Sequence, residues 1–227
     1  MEEYSKTILE EMNISSAFAE WSIDLVKDGL TKNIIEIGCG IGRNLIHLQK
    51  ISNNLSATDF NCEYLKNVES QFPGMRNKLF EWNLNEQFTI DINADSFFCS
   101  NVIEHIHNDS LAISNISKIQ SIKKGVFIVP GISRIYNELD TVLRHYRRYD
   151  INNFRKILFK NGFNVKKNFS FNKIGVLGWY TQGSLLRKKT LGENNMKIYN
   201  IIFPMVKLLD PYLPFCGLSI AALVEKN

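Results

Sequence analysis

The chain has 227 residues, is 44% apolar, 11% aromatic and 22% charged, and carries a net charge of +4. This excludes a disordered, collagen-like or low-complexity chain and leaves one elaborated domain or at most two small ones; the charge by itself does not point to nucleic acid. Four scattered cysteines (Cys39, Cys62, Cys99, Cys216) without a CxxC pair argue against a disulfide scaffold and a zinc site, so no metal is expected and a cytoplasmic setting is.

Residues 1–30 read as an acidic, helical segment, with no leader pattern ahead of it. Asn33–Ile37 is a short apolar run ending in glycines, as a buried parallel strand does, and Ile41–Lys50 follows with helical spacing. Leu55–Asp59 reads as a second strand ending in an acid, Cys62–Ser70 as a helix, and Pro73-Gly74 as a break. Lys78–Trp82 and Ser96–Asn101 suit a third and fourth strand, Leu111–Ile122 an amphipathic helix, and Gly125–Val129 a fifth strand stopped by Pro130-Gly131. Asp150 is a suitable N-cap for a helix that Gly162 ends; Phe163–Phe171 and Gly217–Glu225 read as the last strands. Between those two, about forty residues are apolar with a helical pattern, Pro204 within them, so they form an insertion and not a loop. No apolar run approaches the roughly 18 residues of a membrane span.

Strands alternating with helices predict an α/β fold with a parallel sheet, and such sheets bind ligands beyond the carboxyl ends of their strands. The residues there carry the chemistry. Glu36-Ile37-Gly38-Cys39-Gly40-Ile41-Gly42 is a glycine-rich turn opening a helix, where the backbone can approach a ligand and free N–H groups are on offer. It departs from the dinucleotide pattern GxGxxG, because Arg43 stands where the last glycine would be. Asp59 ends the next strand with an acid. Glu81-Trp82-Asn83-Leu84 follows the third strand, and Ser100-Asn101-Val102-Ile103-Glu104-His105-Ile106 the fourth.

On these motifs the chain resembles the class I S-adenosylmethionine-dependent methyltransferases, through general fold motifs over residues 30–130. The resemblance implies a Rossmann-like fold: a mostly parallel seven-stranded sheet with helices on both faces, an antiparallel ending, and a helical insertion before the last strand. It implies a single methyltransferase domain over 1–227: an N-terminal helical segment (1–30), a cofactor half (31–130), an acceptor side (131–172), the insertion (173–214) and the final strand (215–227). It implies S-adenosylmethionine as cofactor, S-adenosylhomocysteine as product, and a cofactor site from Glu36, Gly38, Cys39, Gly40, Gly42, Asp59, Phe60, Asn83, Leu84, Asn101 and Val102. Asn83 departs from the family's more usual Asp.

The segment from Asp140 through Arg144-His145-Tyr146-Arg147-Arg148-Tyr149 lies after the fifth strand. It resembles a "D…GHxRRY" stretch of a subgroup associated with surface-glycan pathways, with Arg144 in place of the glycine. Asn172, Gly175, Gly178 and Trp179 match further stretches of that subgroup, as does the segment 213–219. The implied acceptor contacts are Glu104, Asp140, Arg147, Arg148 and Tyr149, with His145 and His105 as candidate bases. Two readings of the arginines stand side by side: they clamp an anionic acceptor, or they pair with Asp140 or Glu138 and hold the loop shut. The insertion is a packed cap or homodimer surface on one reading. On the other it is a lid over a lipid-linked acceptor or a peripheral membrane contact.

The function implied is methyl transfer to a small-molecule or glycan-precursor acceptor, at oxygen, in polysaccharide biosynthesis or secondary metabolism, with no nucleic-acid partner. The alternatives are a non-catalytic protein that binds S-adenosylmethionine as a sensor or partner subunit, and an NAD-dependent oxidoreductase.

Overall fold

The computed structural model describes residues 16–227; the first half of the expected N-terminal helix lies outside the described residues. Helix α1 covers Ser16–Val26. Then come β1 (Asn33–Ile37), α2 (Leu45–Ile51), β2 (Asn54–Asp59), α3 (Cys62–Gln71), β3 (Leu79–Glu81), β4 (Ser96–Ser100), α4 (Asp109–Ser117) and β5 (Lys124–Pro130). The second half holds α5 (Glu138–Val142), α6 (Ile151–Lys160), β6 (Phe163–Phe171), α7 (Lys173–Trp179), α8 (Glu193–Leu209) and β7 (Ser219–Lys226).

The seven strands form one sheet in the order β3-β2-β1-β4-β5-β7-β6. The first five are parallel, and β7 runs antiparallel between β5 and β6. Because successive side chains on a strand point to opposite faces, neighbours in sequence feed two cores. Ile35, Phe97 and Phe127 pack on one face with Ile113, Ile116 and Phe154. Ile34, Phe98 and Val126 pack on the other with Trp21, Leu45, Leu48 and Phe203. Both faces are thus covered, and the central strands are apolar runs without alternation.

Three elements differ from the sequence expectation. The helix after the glycine turn begins at Leu45, not Ile41. Residues 38–44 are consumed by the turn, in which Gly42 N donates to Cys39 O and Leu45 N to Gly42 O. The helix expected over 111–122 ends at Ser117, while Ile119 and Ile122 remain buried as the chain enters β5. Asp150 stands at the N-cap position of α6 but does not cap it. Its carboxylate instead accepts from Ser133 N and Oγ (3.2 and 2.6 Å), tying down the loop after β5.

The insertion is helical as expected: α7, a wider π turn over Tyr180–Leu185, and α8, which continues through Pro204. Phe203 and Val206 are buried, and the Phe203 ring lies 5.5 Å from Trp21 of α1. Ile201 and Leu208 on the same helix are 79% and 68% exposed. No helix among the described residues is long and apolar enough to cross a membrane.

Candidate active site

The glycine turn uses left-handed backbone at Gly38 and Gly40 (φ +72 and +53), a region that costs L-residues energy and glycine almost none. The two glycines differ in what they face. A Cβ on Gly38 would lie 2.4 Å from Val102 Cγ2, so this glycine lets β1 pack against the segment after β4. A Cβ on Gly40 would meet nothing within 4 Å, so the turn opens onto free space there. Asp59 flanks that space: Oδ2 accepts from Gly40 N (2.8 Å) and Oδ1 from Asn61 N (2.9 Å). Burial pushes its pKa up, against the pull of those backbone donors. Cys39 is buried beneath the turn, its N–H donating to Thr58 O (2.8 Å).

Glu36 is buried on β1. Its Oε1 accepts from Asn44 Nδ2 (2.8 Å), and its Oε2 has no partner. Burial raises its pKa to about 8, with the Asn44 bond opposing. Glu104 is raised to about 8 as well, again first by burial. Both groups hold their proton more tightly folded than unfolded, where 4.5 is the reference. Stability carried by these protons is therefore present below that reference and lost as pH rises through about 8. Urea midpoints should fall between about pH 5 and about pH 8, and Glu36→Gln should flatten that decline. An unchanged slope in the variant would show that Glu36 is ionised throughout.

Beyond β2 and β3 a cleft of about 440 Å³ is lined by Phe60, Glu81, Trp82, Asn83, Phe88 and Ile90. Phe60 is 72% exposed at its edge, while Trp82 and Leu84 are buried on either side of Asn83. The Asn83 side chain accepts from Asn85 N (3.0 Å). After β4, Asn101 adopts φ 53 and its N–H donates to Ile128 O. Val102 packs on Gly38, so the glycine turn and the Glu104 segment adjoin.

The loop after β5 is organised around Asp140, which is fully buried. In a capping box that starts α5, the Asn137 side chain accepts from Leu139 N and Asp140 Oδ2 accepts from Asn137 N (3.0 Å). Asp140 also accepts from Arg148 Nε at both oxygens (2.8 and 2.9 Å) and from Trp179 Nε1 (3.3 Å). His145 Nδ1 lies 2.8 Å from Asp140 Oδ1. Burial would raise the Asp140 pKa, but His145 and Arg148 outweigh it and hold it below the usual carboxylate range. Arg148 donates from Nη1 to Gly131 O (2.9 Å) and stacks on Trp179, with Cζ 4.5 Å from the ring centroid. Arg147 pairs with Asp109 Oδ2 (2.8 Å) and donates to His107 O (2.7 Å). Tyr149 is buried and donates to Asp109 Oδ2 (2.9 Å). Arg144, where the resembling pattern has glycine, takes the left-handed conformation that favours glycine (φ 60).

His145 Nε2 points at Glu104 Oε1, 4.0 Å away, and its ring meets that of His105 at 4.7 Å between centroids. Both Glu104 oxygens are buried and unpartnered. Desolvation of the packed rings lowers the pKa of both histidines, although part of the His105 residue reaches solvent; His145 adds to the effect on His105, while Asp140 opposes it on His145.

The fold thus brings Glu36, the glycines and Asp59 together at one end, and Glu104, His105, His145 and Asp140 at the adjoining end. It keeps Arg148 and Tyr149 in the interior. Sequence reasoning missed Asn44, which contacts Glu36, and Asp109, which joins Arg147 to Tyr149. Asn44 lies two residues after Gly42, in the first turn leading into α2, and that closeness was the available signal. Asp109 carried none.

A parallel sheet with one antiparallel strand near its edge, a glycine turn after β1 and an acid ending β2 define the class I methyltransferase fold. Residues 35–129 match the methyltransferase domain family. The match likens that segment, somewhat less than half of the chain, to a methyltransferase domain. No curated protein sequence matches the chain. Among solved structures, an S-adenosylmethionine-dependent methyltransferase from Clostridium acetobutylicum aligns with a TM-score of 0.58 and 15% identity, over 92% of this chain and 90% of that one. Magnesium protoporphyrin IX methyltransferase from Synechocystis, with bound S-adenosylhomocysteine, gives 0.56 and 13% over 98% and 86%. The small RNA methyltransferase HEN1 gives 0.60 and 14% over 94% of this chain and 25% of that one. At such identities the likeness concerns the fold, and the acceptors named for those proteins are unalike.

Proposed function

We propose that the protein methylates an oxygen of a small-molecule or glycan-precursor acceptor in surface polysaccharide or secondary metabolism, in the cytoplasm. The observation that carries this reading is the pair of His105 and His145 beside Glu104, adjoining the glycine turn: two imidazoles whose lowered pKa keeps them neutral and able to accept a proton where an acceptor hydroxyl would lie. The residues fit the cofactor. The space above Gly40 would take its methionine part, with Gly38, Cys39 and Gly42 shaping the turn and the orphaned Glu36 Oε2 facing a donor. Asp59 would hold the ribose hydroxyls; Phe60, Asn83 and Leu84 the adenine; Asn101 and Val102 the floor between. When bound, S-adenosylmethionine supplies a methyl group on a good leaving group, and the protein's task is orientation.

His145 is held by Asp140 at Nδ1, which leaves Nε2 for the acceptor side. Asp140, Arg148 and Tyr149 are buried and would brace this arrangement from the interior. Arg147 is the arginine available to it, because its side chain is 30% exposed against 1% for Arg148. Arg147→Ala should raise the acceptor KM several-fold and leave cofactor affinity alone; equal loss of both would assign it to the fold. The exposed apolar face of α8 favours a lipid-linked acceptor, which would rest its chain there.

The test is methyl transfer from labelled S-adenosylmethionine to hydroxylated, carboxylated and amino acceptors, with alkali treatment of the product. An alkali-stable ether supports the reading. Labelling of amines alone would overturn the oxygen assignment, and cofactor binding with no transfer to any acceptor would favour the sensor alternative.

A further inference from the structure

We propose that Glu104, His105 and His145 form a binding site for a divalent first-row transition-metal ion, of the class of manganese, iron(II), cobalt or zinc. One ligand atom from each lies within 4.8 Å of the others. An ion bonded at roughly 2.0–2.2 Å holds its ligands about 3–4 Å apart, so each side chain would move by up to about 1 Å.

Three features make this more than a chance cluster. Glu104 is fully buried, and neither carboxylate oxygen has a hydrogen-bond partner. A carboxylate in that position is costly unless a cation or donor meets it. His145 is also anchored through its second nitrogen. Its Nδ1 is held by Asp140, itself fixed by Arg148 and Trp179, and the His105 ring packs edge-on against it with centroids 4.7 Å apart. Metal-binding imidazoles use their other nitrogen in this way, which sets the tautomer and aims the free nitrogen. Finally, His105 is exposed while Glu104 and His145 are buried. The site therefore has a closed back and an open front, where further coordination positions would face the acceptor.

The donor set selects the metal class: two imidazoles and one carboxylate suit first-row transition ions, whereas calcium and magnesium prefer all-oxygen sites. Glu104 and His105 lie on the short turn after β4 and His145 on the loop after β5. An ion here would tie the cofactor half to the acceptor loop. The role we assign it rests on the oxygen-acceptor reading above. An acceptor hydroxyl bound to the ion is more acidic. Its proton leaves to solvent, its oxygen gains the methyl carbon, and the electron pair of the broken C–S bond stays on sulfur. The ion would then do what a histidine base does otherwise. Sequence inspection missed the site because His145 follows His105 by forty positions and matches no ligand spacing.

The experiment is titration of chelator-treated, tag-free, full-length protein with cobalt(II) chloride, followed by visible absorption and calorimetry. One equivalent should bind and develop a d–d band. Glu104→Gln and His145→Asn should each abolish the band, and His105→Asn should weaken binding at least about tenfold. Circular dichroism melts identify variants that do not fold; His105→Asn, at an exposed position, carries the test if the buried ones fail. No stoichiometric binding, or binding unchanged in folded variants, overturns the site. Because cobalt binding needs no acceptor, a retained band alongside amine-only methylation would overturn the oxygen reading and leave the metal site standing.

Discussion

Asp140→Ala should destabilise the protein by about 3–5 kcal/mol, the usual consequence of removing one partner from a buried ion pair. Asp140 is the common acceptor for Arg148, Trp179, Asn137 N and His145, and neither it nor the Arg148 side chain reaches solvent. Without the carboxylate, the guanidinium is buried against Trp179 with only Gly131 O to bond. Urea unfolding measures the loss. The double variant Asp140→Leu/Arg148→Met should recover most of it, since replacing a whole buried pair by apolar groups is often nearly neutral. Its acceptor turnover should stay low, because His145 would have lost its orienting partner. A single Asp140→Ala variant within about 1 kcal/mol of wild type would mean that the loop is held by other contacts.

Asp59→Ala should weaken S-adenosylmethionine binding by about 1.5–3 kcal/mol, the range for hydrogen bonds to a charged group. That corresponds to roughly tenfold to a hundredfold in Kd. The carboxylate has two jobs. It is the acceptor placed for the ribose hydroxyls, and it also holds Gly40 N and so sets the turn. Asp59→Asn keeps an oxygen for Gly40 and loses the charge, so it should fall between wild type and alanine. Calorimetry reads all three, and unchanged affinity in the alanine variant would remove Asp59 from the site.

Much of the cofactor end was legible in the sequence because its determinants are local. β1 and β6 have the expected bounds: β1 is an apolar run closed by Gly38, and β6 is bracketed by Gly162 and Asn172. The glycine turn, Glu36 and Asp59 lie within 24 residues of one another, at the ends of two adjacent strands. Parallel pairing of β1 with β2 brings them together by topology alone. The helix over 41–50 was placed too early because glycines in left-handed backbone continue the turn beyond where apolar spacing suggests a helix.

The acceptor end was legible only in its residue types. The cluster of Asp140, His145, two arginines and Tyr149 stood out, but two partner assignments were open. Tertiary structure decided between them. Arg148 pairs with Asp140 and with Trp179 from the insertion; Arg147 and Tyr149 both turn to Asp109 on α4. Trp179 is 39 residues from Asp140, and Asp109 is 40 from Tyr149. No local pattern encodes such contacts, because they exist only once β7 inserts antiparallel beside β5 and the crossovers settle on the sheet. The sequence by itself determined the alternation of elements, the glycine turn with its two acids and the basic character of the loop after β5, since each follows from neighbouring residues and chain stereochemistry. Which charges face the cleft and which brace it, and that Glu104 meets His145, was decided by packing: burial leaves an ionised group only the partners that the closed fold brings within reach.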